Sequence, residues 1–190
     1  MGWQHLRHGP SFEDPGARVP FRARKLSSSS RSPRCPRGRR GGRNKYFQFT
    51  AIDDCTRLRV LRIYPTLNQA TAIQLLDYVL QRLPFQVEVI QTDNGAEFQS
   101  AFHWHVLDKG IAHTYIKPRT PRLNGKVERS HRMDAEEFYR LLDGVVIDDA
   151  EVFNDKLREW EDYYNCHRPH GGLGGQTPCE RLKQKTTTQA

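Results

Sequence analysis

The chain has 190 residues, 36% of them hydrophobic, with a mean hydropathy of −0.78, which is material for one substantial core and too little for two full domains. Its formal charge of +8 is unevenly placed: residues 1–44 carry 11 Arg or Lys against Glu13 and Asp14, whereas the rest is close to neutral. Such a basic arm favours polyanions in a salt-dependent way without specifying a target. No long apolar run is present and none follows the N-terminal charges, which argues against a membrane span or secretory signal and predicts a cytoplasmic protein.

Cys35, Cys55, Cys166 and Cys179 include no C-x-x-C pair, so reduced thiols are expected. From Gly16 to about Arg43 the text is Arg, Pro, Ser and Gly with neither a strand nor a helix period, which predicts a basic arm over 1–43 without regular structure. Order is expected to begin at Asn44, with a core over 44–183 and a tail over 184–190. "KYFQFTAI", "DDCTR" and "LRVLRIY" read as strand, turn and strand, a hairpin. "NQATAIQLLDYVLQRL" then places Ile73, Leu76, Leu80 and Leu83 on one helical stripe before Pro84.

"FQVEVIQT" follows as a strand with Phe85, Val87 and Val89 alternating. Phe98, Phe102, His105 and Val106 mark a short helix ending at Gly110, and "IAHTYI" is another strand. "KPRTPRLNG" reads as a loop, and "KVERSHRMDAEEFYRLLDG" as a helix stopping at Gly144. Asp148 and Glu151 suggest a capping box for a helix carrying Phe153, Leu157, Trp160 and Tyr164, and Thr177, Pro178 and Glu180 suggest one for a last short helix. The predicted class is mixed α/β with a central sheet flanked by helices.

Two carboxylates stand out. Asp93, in "VIQTDNGAEF", sits at the C-terminal end of its strand, where ligands usually meet an α/β sheet. Glu128 comes early in a helix that follows the Pro/Gly loop. Two acids about 4 Å apart repel by roughly 4 kcal/mol at an effective dielectric of 20, a cost that a divalent ion removes. Paired hard ions held by carboxylates drive in-line phosphoryl displacement with no Ser or Cys nucleophile. The plain alternative is that Asp-Asn-Gly only turns the chain and that Glu128 only meets a helix dipole. Lys117, Arg119, Arg122, Lys126, Arg129 and Arg132 surround Glu128 and would meet a phosphate backbone there, or simply form a solvated face.

"FTAIDDCTRLRV", "QTDNGAEF", "PRLNGKVERSHR" and "YNCHRPHGGLGGQTPCERL" together resemble the integrase catalytic core of bacterial insertion-sequence transposases, which is similar to retroviral integrase cores. The resemblance runs from about Asn44 to Lys183. It implies a ribonuclease-H-like fold and an Asp-Asp-Glu triad holding two Mg²⁺ or Mn²⁺ ions for DNA end cleavage and strand transfer. It also implies DNA as the partner, an assembly of at least two copies, and a bacterial cytoplasmic setting. Asp93 matches the second carboxylate and Glu128 the third. Asn94 and Gly95 complete the strand-end motif, Asn124 and Gly125 match the loop that presents the glutamate, and Arg168 to Pro178 match a C-terminal signature of structural role.

The first carboxylate of that family lies on a strand before the hairpin, and residues 15–52 contain no Asp or Glu. "PGARV" faintly resembles the lead-in to that strand, which would put the position near Arg22. Asp53 is the stand-in, although Asp53 and Asp54 match the hairpin turn and are expected to form an Asx-type turn. A chain without the strand would leave an unfilled central place, an exposed edge and low solubility. The change of text at Asn44 motivates the hypothesis that the upstream stretch is read out of frame.

Two other readings fit the residues. Cys166, His167, His170 and Cys179 offer zinc-ligating residue types, without the usual spacer. A non-catalytic remnant would bind nucleic acid through its arm or a partner transposase through its core. His113 and His131 could be offered as general bases, but two-metal chemistry needs none, and Trp104, His103 and His105 read as helix packing and surface.

Overall fold

The computed structural model of the chain describes residues 22–23, 26–31, 46–116, 121–142 and 149–187, with side chains described from residue 46 onward apart from those of 121–124. Its strands and helices in chain order are β1 Arg22–Ala23, β2 Leu26–Arg31, β3 Phe47–Asp53, β4 Arg59–Tyr64, α1 Gln69–Arg82, β5 Gln86–Val87 and β6 Val89–Thr92. They continue with α2 Ala101–Asp108, β7 Ala112–Tyr115, α3 Pro121–Met133, α4 Ala150–Cys166 and α5 Pro178–Thr187. A π-helical stretch, Asp134–Tyr139, follows α3 directly.

Five strands form one sheet in the order β4-β3-β2-β6-β7. β2 is antiparallel to β3 and parallel to β6, and β7 runs parallel to β6. The pair β1 and β5 keeps the same register offset as β2 and β6, since Arg22 faces Gln86 and Leu26 faces Ile90, so the two pairs read as one interrupted ladder.

This corrects the expectation of no regular structure at residues 22–23 and 26–31; the rest of 1–43 lies outside the described residues. The central place is filled, and Leu26–Arg31 fills it although four serines are poor strand formers. A central strand draws backbone hydrogen bonds from both neighbours, and pairing on two sides outweighs weak side-chain preference. The exposed edge and low solubility expected of an unfilled centre therefore lose their basis.

The hairpin is found as expected, β3 and β4 joined by a turn at residues 54–58. In α1, Asn68 and Thr71 make a reciprocal cap. Its buried face is Thr71, Ala72, Leu75, Leu76 and Val79, whereas the expected stripe members Ile73 and Leu80 are half-buried. The alternation expected along 85–89 stops at Val87: Val89 is half-buried and Ile90 buried, because β6 is covered on both faces. The loop expected at "PRLNG" is instead the first turn of α3, with Pro121 where a missing N–H costs nothing. Asp149 caps α4 by accepting from the Glu151 N–H at 2.7 Å, in place of Asp148, which like Gly144 lies outside the described residues. Thr177 and Glu180 form the expected reciprocal cap.

Apolar side chains pack on both faces of the sheet. Phe49, Ala51 and Val60 meet α1, the 3-10 turn Ala96–Phe98 and α2 through Leu75, Val79, Phe98 and Phe102. Leu61 and Ile63 meet Phe138, Phe153, Leu157 and Trp160 on the other. α4 also seals the free edge of β4. Asn165 Oδ1 accepts from the Arg59 N–H at 3.0 Å and its Nδ2 donates to the Arg59 carbonyl at 2.8 Å. Asn154 does the same for Ile63, and Glu161 Oε2 accepts from the Leu61 N–H at 2.6 Å. Alternate strand residues point their backbone groups outward, so a polar stripe on one helix satisfies them and removes the edge as a pairing surface.

Candidate metal and nucleic-acid site

Asp93 follows β6 at the C-terminal end of the sheet's parallel half. Its Oδ1 accepts from the Gly95 N–H at 3.1 Å, so it does turn the chain. That bond leaves Oδ2 without a hydrogen bond among the described residues. The turn is braced from outside, since Asn94 Nδ2 donates to the Ile116 carbonyl at 3.1 Å and Gln99 Nε2 to the Asn94 carbonyl at 3.2 Å. Burial raises the Asp93 pKa, the Gly95 N–H opposes this, and the charge of Glu97 adds to it. A half-buried carboxylate next to a second acid is a group that a cation would relieve.

Glu128 is exposed on α3, on the flank of the side chains that face the sheet, Val127, Ser130 and His131. The acid acting on Asp93 is thus Glu97, not Glu128. Among the described residues no three His, Cys, Asp or Glu side chains gather as a metal cluster. Asp53 makes the Asx turn, its Oδ2 accepting from the Thr56 N–H and hydroxyl, both at 2.7 Å, while its buried Oδ1 has no hydrogen-bond partner among the described residues. It stands beside Leu26, with Asp93 lying beyond the Ser28 and Thr92 pair toward the opposite end of β2. Arg22 faces Gln86 and is also away from Asp93. The ladder puts serines next to the Asp93 end of β6, with Ser28 opposite Thr92.

The donor set fits a hard divalent ion at Asp93 and falls short of two, since β2 brings hydroxyl residue types and no acid to that end.

Of the basic residues, Lys126 is bound to Asp54 at 2.9 Å, while Arg129 and Arg132 are exposed. Lys117 and Arg119 lie outside the described residues, as do the side chains of Arg122 and Asn124. Asn124 and Gly125 stand within α3, not on a loop.

The histidines are occupied. His113 Nε2 meets Thr92 Oγ1 and its Nδ1 meets His103 Nδ1, each at 2.9 Å, and burial with the neighbouring His103 lowers its pKa to about 4. His131 is buried against Thr50 at 3.1 Å, and His105 pairs with Asp77. Trp104 is a surface residue, 64% exposed.

The zinc reading fails. Cys166 and Cys179 form a disulfide, contrary to the expected free thiols, and His170 Nε2 meets the Tyr164 carbonyl at 3.1 Å. The return of α5 beside the end of α4 brings together two cysteines whose spacing gave no sign of pairing. Within the C-terminal signature, Arg168 grips Glu137 through two bonds of 2.6 and 2.9 Å, which hold the carboxyl below its usual range.

Residues 109–178 match the family model described as integrase core domain. The resemblance is to integrase cores. A putative integrase of a Spiroplasma virus is 29% identical over 154 residues, covering 70% of this chain and 41% of the relative, so the chain spans about two fifths of that protein. Among solved structures, the catalytic core of BIV integrase superposes with a TM-score of 0.65 at 20% identity, covering 88% of this chain and 99% of that one. A chain of the simian T-cell lymphotropic virus intasome gives 0.68 at 17% identity, covering 95% and 58%. The HTLV-2 integrase core in complex with magnesium gives 0.64 at 15% identity, covering 85% and 96%. The fold is ribonuclease-H-like, the one these cores share.

Proposed function

We propose that the chain is the core of a transposase or integrase that acts in DNA integration and transposition, a polynucleotidyl transferase with Asp93 and Glu128 as metal ligands. The observation that carries this is the placement of Asp93: a half-buried carboxylate at the C-terminal end of β6, inside a sheet of this order, in a chain similar to integrase cores. A bound Mg²⁺ or Mn²⁺ would supply the Lewis acid that activates an attacking oxygen and stabilises a leaving one. Asp93 would hold the ion on Oδ2 while Oδ1 keeps the turn. Glu128 would supply an exposed oxygen ligand from α3, and Arg129 and Arg132 would meet backbone phosphates of DNA beside it. The basic arm adds non-specific attraction for the same polymer. Assembly of at least two copies and a bacterial cytoplasmic setting belong to this reading.

One observation favours a second reading. No acid stands on β2 beside Asp93, so the chain as written is a remnant that binds nucleic acid or a partner transposase without cutting. Calorimetric titration of Mn²⁺ into the parent chain, Asp93→Ala and Glu128→Ala decides between them. The first reading expects saturable binding that both substitutions abolish, followed by strand transfer on DNA ends. No binding by the parent chain overturns it and leaves the remnant.

A further inference from the structure

α3 carries Glu128, and among its described side chains little apolar packing holds it. Its buried side chains among the described residues are Val127, Ser130 and His131, with Asp134 one step beyond the last of its residues. Val127 is the one aliphatic side chain of these four. A slip of one residue turns a helix by about 100° and moves it about 1.5 Å. Phe138 and Tyr139 oppose it by packing from beyond the end of α3, and polar contacts oppose it along the helix itself.

Asp134 Oδ1 accepts from Arg59 Nη1 at 2.7 Å and from Trp160 Nε1 at 2.8 Å, and Oδ2 accepts from Gln48 Nε2 at 2.8 Å. The same Arg59 nitrogen donates to Ser130 Oγ at 2.9 Å, one helical turn earlier. These donors come from β3, β4 and α4, so the carboxylate is fixed from three elements at once. Arg59 and Asp134 are fully buried, and the guanidinium lies 3.4 Å over the Tyr164 ring. A buried ion pair adds little net stability over an apolar substitute, and its best-attested use is to fix register.

We infer that Asp134 is a positioning residue: with Arg59 it sets the rotation and height of α3, and through them where Glu128 stands relative to Asp93. The functional meaning of this rests on the reading of Glu128 as a metal ligand; the positioning itself does not. Asp134 touches no reacting group in this scheme. It acts through the helix that carries Glu128, six residues before it.

The test measures where residue 128 sits. In a Cys35→Ser/Cys55→Ser background, spin labels on Glu128→Cys and Asp108→Cys report the distance from α3 to α2, and labels on Gln81→Cys and Asp108→Cys report α1 to α2 as a control. The parent chain should give one narrow distance for each pair. In Arg59→Met/Asp134→Leu, and to a lesser degree in Asp134→Asn, the 108–128 distance should broaden or gain a second population while the 81–108 distance stays narrow. A 108–128 distance as narrow and unshifted as in the parent, with the control intact, overturns the inference. If the double variant loses the control distance too, it has unfolded, and Asp134→Asn decides by the same criterion. A shifted distance together with absent Mn²⁺ binding by the unlabelled parent chain would sink the metal role of Glu128 and leave the positioning role standing.

Discussion

Asn165→Ala tests the seal on the sheet edge. The amide satisfies both the N–H and the carbonyl of Arg59, a residue with no solvent exposure, at 3.0 and 2.8 Å. Removing it leaves one buried donor and one buried acceptor without partners, at about 1–3 kcal/mol each, or about 2–6 kcal/mol together. Alanine returns roughly half a kcal/mol as the better helix former, which does not reverse the sign. Set against a domain stability of about 5–15 kcal/mol, the loss is a large fraction of the total. The assay is equilibrium urea unfolding of the parent and variant, with the slope checked for constancy so that the shift in midpoint reads stability. Asn165→Asp should fall between the two, because it keeps the acceptor for the Arg59 N–H and sets an oxygen against the carbonyl. A loss below about 0.5 kcal/mol for the alanine variant would refute the reasoning, since it would mean that water reaches this edge and that α4 does not seal it.

The remaining expectations concern cross-links, protons and the coding sequence. The Cys166–Cys179 disulfide spans 13 positions, a loop for which chain entropy gives about 3 kcal/mol. Cys166→Ser should lose about that much in urea unfolding, and a reductant should lower the parent to the same level without affecting the variant. His113 should titrate near pH 4 by NMR, well below its unfolded value of 6.5. Its native pKa is lowered, so the unfolded chain binds more protons between those values, and stability should fall as pH drops from about 6.5 toward 4. His113→Gln should flatten that part of the profile; an unchanged profile would show that the imidazole is not what titrates. Translating the DNA upstream of codon 44 in the other two frames should give a strand carrying an aspartate, and neither frame doing so would sink the out-of-frame hypothesis.

Local periodicity made the hairpin legible, because "DDCTR" supplies turn chemistry between two alternating runs and Asp53 bonds Thr56 within three residues. The cap at Thr177 and Glu180 was legible for the same reason. The start of α3 was not: proline and glycine in "PRLNG" signal a loop, yet a proline in a first helical turn loses no bond. The buried face of α1 was displaced from the aliphatic stripe because Thr71 and Ala72 are small enough to let the sheet approach. Asp134 was read only as part of a charged helix. A signal did exist, since Ser130 and Asp134 share a face four residues apart, but polar residues there also suit a solvated surface.

The sequence by itself determined which carboxylates were worth attention, the order of most elements and the resemblance to integrase cores, because turns, caps and short motifs are set by neighbours within a few residues. Tertiary structure alone decided three things. It filled the centre of the sheet with Leu26–Arg31, paired Cys166 with Cys179, and gathered Gln48, Arg59, Asp134 and Trp160 into one buried network. Each joins residues far apart in the chain, and which groups meet there depends on how the elements pack, information that no local pattern carries.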